Sequence, residues 1–106
     1  MRILFDQGTP VPLRDSLARH EVSTAHERGW SQLKNGDLLD AAEREGFGVL
    51  VTTDTKLKFQ QNLGARRIAI VVLLSTSWPR IERAIGVVRD AIDAAAPGSY
   101  TEVEIP

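Results

Sequence analysis

Three aspartates stand where this chain could do chemistry. Asp6 follows the apolar run Ile3-Leu4-Phe5, Asp54 follows Val49-Leu50-Val51-Thr52-Thr53, and Asp37 opens the segment Gly36-Asp37-Leu38-Leu39-Asp40-Ala41-Ala42. Carboxylates gathered within a few ångströms repel one another, and a bound cation removes that cost. Oxygen-only ligands suit Mg²⁺ or Mn²⁺, and such sites run phosphoryl transfer or phosphodiester hydrolysis. The expectation is one acidic site in which Asp6, Asp37 and Asp54 are both metal ligands and catalytic residues. Each also has a plainer role taken alone. Asp6 and Asp54 suit turn formers or caps, and Asp37 in a first helical turn favours the helix dipole wherever it points. Asp40, one turn on, reads as a solvated residue.

The elements around these acids set where they can meet. Arg2-Ile3-Leu4-Phe5 closed by Asp6-Gln7-Gly8 reads as a strand and turn, and Val49–Thr53 is a β-branched strand that stops at Asp54. Ile68–Leu74 is apolar without alternation, the mark of a strand covered on both faces and so of a parallel sheet. In such sheets ligands sit beyond the carboxyl ends of the strands, near a topological switch point, which makes Asp6 and Asp54 candidates for one crevice. Thr9 before Pro10 and Pro12 predicts an N-cap with prolines in the first turn, with Leu13 and Leu17 facing inward. Residues 20–25 are the weakest strand candidate, and 26–36 read as a loop. Asn35 is placed as the cap of a helix that buries Leu38, Leu39, Ala41 and Ala42, exposes Glu43, Arg44 and Glu45, and closes at Gly46. A short helix is expected over 57–62. One long helix is expected from the spacing of Ile81, Ala84, Ile85, Val88, Ile92 and Ala95, and an edge strand from the alternation over 100–105. Alternating strands and helices predict a single domain over 1–106, a three-layer α/β/α sandwich around a mainly parallel sheet.

Other residues are weaker candidates. Gln7, Gln60 and Asn62 could orient water or phosphate. Lys56, Lys58, Arg66 and Arg67 flank Asp54 in sequence and could hold phosphates, against the plainer reading of a solvated face. His20 and His26 read first as surface imidazoles and only second as a metal pair. Trp30 and Trp78 read as packing residues, and Ser75-Thr76-Ser77 as capping.

Totals bound the function further. The chain has 106 residues, 42% hydrophobic and 25% charged, with formal net charge −1. A nucleic-acid substrate would therefore have to be held locally or through cations, with no overall attraction. There is no cysteine, so disulfides, thiolate zinc sites and cysteine nucleophiles are excluded. No apolar run approaches a membrane span, and Asp6 arrives too early for a secretory signal, so a cytoplasmic protein without membrane contact is expected.

Together, Ile3-Leu4-Phe5-Asp6-Gln7, Gly36-Asp37-Leu38-Leu39-Asp40-Ala41-Ala42 and Val49-Leu50-Val51-Thr52-Thr53-Asp54 resemble the short bacterial PIN-like domains. These are predicted nucleases related to the ribonuclease toxins of toxin–antitoxin pairs. The resemblance spans residues 2–75. It implies an α/β/α fold whose acids, here Asp6, Asp37 and Asp54, coordinate Mg²⁺ or Mn²⁺ for RNA cleavage, with RNA as substrate and an antitoxin protein as partner; separately, the small core and the aliphatics of the last helix leave room for a homodimer. Two positions depart from the family: Gln7 stands where many members have an acid, and Lys56 where many have a second aspartate. The acidic site is thus reduced. Two other readings share these residues. One is a non-catalytic PIN-like module that binds a protein partner. The other is a phosphoacceptor receiver-like domain with Asp54 as acceptor, although it lacks the paired acid at Gln7 and a lysine after a late strand.

Overall fold

The apolar runs fold into short strands whose side chains alternate between two cores. In the computed structural model, which describes residues 1–60 and 62–106 (of Gln60 the backbone only), the strands are Arg2–Phe5 (β1), Glu21–Thr24 (β2), Val49–Thr52 (β3), Ala69–Leu73 (β4) and Tyr100–Val103 (β5). They form one five-stranded sheet in the order β2-β1-β3-β4-β5, and every neighbouring pair is parallel. All residues of β3 and β4 are buried, which is why those segments read as unbroken apolar runs. The outer strands β2 and β5 are only partly covered.

Helices cover both faces, giving the α/β/α sandwich. Asn35–Arg44 (α1) and Leu57–Gln60 (α2) lie on one face, where Leu38, Leu39, Ala42 and Leu57 pack with Leu4, Leu50, Ile70 and Val72. A 3-10 helix over Val11–Leu17 lies on the other, together with Trp78–Arg83 (α3) and Ile85–Asp93 (α4). There Leu13, Leu17, Ile81, Val88 and Ile92 pack with Ile3, Phe5, Val49, Val51 and Val71. Each such side chain, fully buried, contributes roughly 1.5–3 kcal/mol against exposure. Trp30 and Trp78 are packing residues, one against each core. Among the described residues no helix is long and apolar enough to cross a membrane.

Several local expectations are corrected. The segment after Thr9 is a 3-10 helix capped at Pro10, because the Thr9 hydroxyl is engaged elsewhere. Lys34, not Asn35, is the N-cap of α1. The segment expected as one long helix is two, α3 and α4, broken at Ala84 with φ −106° and ψ 23°. Ile81, Ala84, Val88 and Ile92 nevertheless all stay against the sheet, so the apolar period runs through the break undisturbed. The C-terminal end of α1 is as expected, with Gly46 at φ 80°.

Candidate acidic site at the carboxyl edge of the sheet

The strand order makes the gap between β1 and β3 special. From β1 the chain crosses to β2 on one side and later returns to β3 on the other, so a crevice opens beyond the carboxyl ends of these two strands. Asp6 leaves β1 at this point and Asp54 leaves β3 two residues after its end. Phe5 is registered with Val51, which sets Asp6 level with Thr52.

Thr52, only 1% exposed, links the two acids. Its Oγ1 donates to Asp6 Oδ2, and it accepts the Asp54 N–H at 3.0 Å. A hydroxyl has one proton, and the Asp54 amide already faces a lone pair, so that proton belongs to Asp6. Asp6 Oδ1 accepts from the Gly8 N–H at 3.1 Å and from Thr9 Oγ1 at 2.9 Å, a hydroxyl that also lies 2.8 Å from the Val51 carbonyl. The turn needs glycine at position 8, because a Cβ there would sit 2.5 Å from Thr53 Oγ1. Asp54 Oδ1 accepts from the Lys56 N–H at 2.9 Å, and Oδ2 accepts from Asn35 Nδ2 at 3.1 Å. Asn35 is therefore a site residue rather than a cap.

The charges here are not balanced by nearby cations. Burial pushes the Asp6 carboxyl above its usual range. The hydrogen bonds from Thr52, Thr9 and Gly8 oppose this, and the Asp54 charge adds to it. Among the described residues no salt bridge reaches Asp6 or Asp54. Two cations at this edge are engaged with other acids. Arg14 grips Glu27 through two bonds of 3.1 and 2.5 Å, and Lys58 pairs with Glu102 at 3.0 Å. Those contacts hold both glutamates below the ordinary range: Glu27 by Arg14 first, Glu102 by Lys58 and then Tyr100. The Tyr100 phenol is pushed up to about 12 by burial, by its bond to Glu102 and by the charge of Asp54.

The fold thus brings Asp6 and Asp54 together. Asp37 lies in the first turn of α1, at the same edge, but it is exposed, and it is Asn35 that bonds Asp54. Among the described residues no group of three or more His, Cys, Asp or Glu is arranged to hold a metal ion. Gln7 is exposed in the turn after β1, Lys56 is exposed and contacts Asp54 through its backbone, and Asn62 is exposed. The side chain of Gln60 lies outside the described residues.

Residues singled out elsewhere have structural partners. Asp40 is not merely solvated: it pairs with Arg66 at 2.6 Å, and Arg66 also pairs with Glu43 at 2.8 Å. Glu43 is correspondingly half-buried. Arg66 and Arg67 precede β4, so they stand at the amino edge of the sheet, away from Asp54. His20 bonds Asp93 at 2.7 Å, and His26 lies 3.3 Å from Ser31 Oγ. A cavity of about 900 Å³ also opens at the amino edge, beside Met1, Gly48, Arg67 and Pro97. Its acids, Asp40 and Glu43, are those already held by Arg66.

Sequence reasoning missed Thr9, Thr52 and Asn35 as parts of the site. For Thr52 a signal existed, a hydroxyl in an otherwise apolar buried strand just before the acid. For Asn35 none did, since its partner lies 19 residues away. No family model matches the chain, and no curated protein or solved structure is significantly similar to it.

Proposed function

We propose that this protein is a Mg²⁺- or Mn²⁺-dependent phosphodiester hydrolase acting on RNA, a PIN-like ribonuclease with a reduced acidic site. The observation that supports this is the pairing of Asp6 and Asp54 across the β1–β3 switch point, joined by Thr52 and, among the described residues, without a salt bridge to a protein cation. The donor set fits such an ion. A carboxylate offers about four lone-pair positions. Asp6 uses three on Gly8, Thr9 and Thr52, and Asp54 uses two on Lys56 and Asn35. The remaining oxygen lone pairs suit a hard cation that takes one or two carboxylates and fills its shell with water and phosphate.

When bound, the cation would supply Lewis acidity toward the phosphodiester and a lowered pKa for an attacking water. The chain's own part is placement. Thr52 holds the Asp6 carboxylate against β3, and Asn35 and the Lys56 amide fix the rotation of Asp54, so the two acids that would hold the ion are oriented by neutral donors. Asp37, exposed in the first turn of α1, is proposed to act on the ion's waters and the catalytic water. An antitoxin partner is what the family resemblance implies.

One observation favours a second reading. The order β2-β1-β3-β4-β5 is also that of phosphoacceptor receiver domains, in which Asp54 would take a phosphoryl group. Against it, Gln7 replaces the second acid, Leu74-Ser75 follows β4, and Glu104 follows β5, with no lysine at either place.

The test is Mn²⁺ titration by calorimetry, with cleavage of a single-stranded RNA, on the parent and on Asp54→Asn. Binding and cleavage that vanish together in the variant support the hydrolase. A variant that cuts as well as the parent refutes the site, and no binding at millimolar metal points to a non-catalytic partner-binding module. Acyl-phosphate labelling of Asp54 would instead establish the receiver.

A further inference from the structure

Beside the acids, on the β2 side of Asp6, lies a cleft of about 460 Å³ that Asp54 does not line. Its volume is within the range of small-molecule sites, about 300–1,000 Å³. One wall is fixed and electrically spent. The Thr24 N–H donates to Glu27 Oε1 at 2.9 Å, the Glu27 N–H donates to Thr24 Oγ1 at 3.1 Å, and Arg14 closes on the same glutamate. This reciprocal pair is a capping-box pattern, threonine followed three residues later by glutamate. Arg14 and Glu27 pair their charges with each other.

Besides the Asp6 carboxylate at its edge, the cleft offers a ligand apolar and amide groups. Val11 lines the cleft with 54% of its surface exposed, an apolar platform at the start of the 3-10 helix. The His26 ring lines it too. Gln7 lies in the turn directly after Asp6, exposed, and its amide has no hydrogen-bond partner among the described residues. An amide offers adjacent donor and acceptor groups, the complement of the N6 and N7 edge of adenine.

We infer that this cleft is a base-binding subsite, taking an unpaired adenine of a single-stranded nucleic acid whose backbone passes the Asp6–Asp54 centre. A flat neutral ring suits an apolar platform, and a free amide reads its edge. A base still in a duplex has its faces stacked and could not enter, as in other single-strand readers. This rests on the hydrolase reading for the backbone, but base recognition can be measured without it.

The experiment is a titration of the ¹⁵N-labelled full chain with adenosine 5′-monophosphate, without divalent cation, following the amides of Gln7, Val11 and His26. Saturable shifts confined to these residues are expected. Gln7→Ala should weaken binding about tenfold, the worth of one good bidentate base contact. Val11→Asp should abolish it, and uridine 5′-monophosphate should bind about tenfold less tightly than the adenine nucleotide. All the substituted residues are exposed or at the edge, so folding is checked by the unshifted remainder of the spectrum. Absence of saturable shifts, equal binding by Gln7→Ala, or equal binding of the two nucleotides overturns the subsite. If the chain binds no Mn²⁺ yet shows Gln7-dependent adenine binding, the subsite stands and the hydrolase falls. If it cuts RNA but does not bind the adenine nucleotide, the subsite alone falls.

Discussion

The two edges of the sheet treat their acids in opposite ways. At the amino edge, each acid near α1's end is met by a guanidinium: Arg66 takes Asp40 and Glu43, and Arg28 takes Glu45 at 2.6 Å. Burial would push the Glu43 carboxyl up, yet the Arg66 contacts and the Arg67 N–H bring it below its ordinary range. At the carboxyl edge, among the described residues, Asp6 and Asp54 receive only hydroxyls and amides, although Arg14 and Lys58 stand nearby, bound to other acids. Neutralised acids stabilise a fold. Acids supported by neutral donors alone keep their charge available, at a cost in stability, for something that arrives from outside.

That contrast can be broken or sharpened by measurement. The largest effect is expected at the amino edge. Arg66→Ala removes a side chain only 16% exposed and strands Glu43, so chemical denaturation should show a loss of roughly 2–3 kcal/mol, the scale of hydrogen bonds to charged groups. An unchanged midpoint would mean that the pairs are ornamental. Next, Gly8→Ala forces a methyl against Thr53 and should destabilise by about 2 kcal/mol, as overpacking does. The double variant Gly8→Ala, Thr53→Ala should recover most of that, and failure to recover would place the strain elsewhere.

Smaller and opposite in sign is the cost of ionising Asp6. Burial holds its folded carboxyl above the ordinary carboxylate range, so over the window where the unfolded carboxyl ionises first the folded chain keeps a proton the unfolded chain has lost. Parent stability, measured against Asp6→Asn at each pH, should therefore fall as pH rises through that window. A flat difference would show that the hydroxyls fully offset burial. The smallest effect uses the chain's single tyrosine, Tyr100. Its phenol, pushed up to about 12, should ionise at a lower pH in Asp54→Asn, read by ultraviolet absorbance after rapid pH jumps. No change would mean that the two groups do not feel each other.

Much of the frame was legible because it is written locally. The unbroken runs at 49–52 and 69–73 announced buried parallel strands, and the acids after the runs at 2–5 and 49–53 announced where a candidate site would lie. What escaped was written across distance. Asn35 turned from helix cap to Asp54 partner, and Arg66 turned from phosphate candidate to the clamp on Asp40 and Glu43, since only the folded order of strands puts each on its edge. His20 and Asp93 meet across 73 residues, beyond any spacing rule. The break at Ala84 was invisible for the opposite reason. Its two helices bury one continuous stripe, so the pattern alone could not reveal two axes.

The bond from Thr52 to Asp6 spans 46 residues and joins the first strand to a later one that lies between it and β4. During synthesis β1 emerges with only the half-covered β2 as a neighbour until residues 49–52 have followed. Contacts so far apart in sequence close late, after the entropy of a long loop has been spent. The acidic centre therefore cannot exist until β3 has been made, and a nascent or truncated chain ending before β3 lacks half of it.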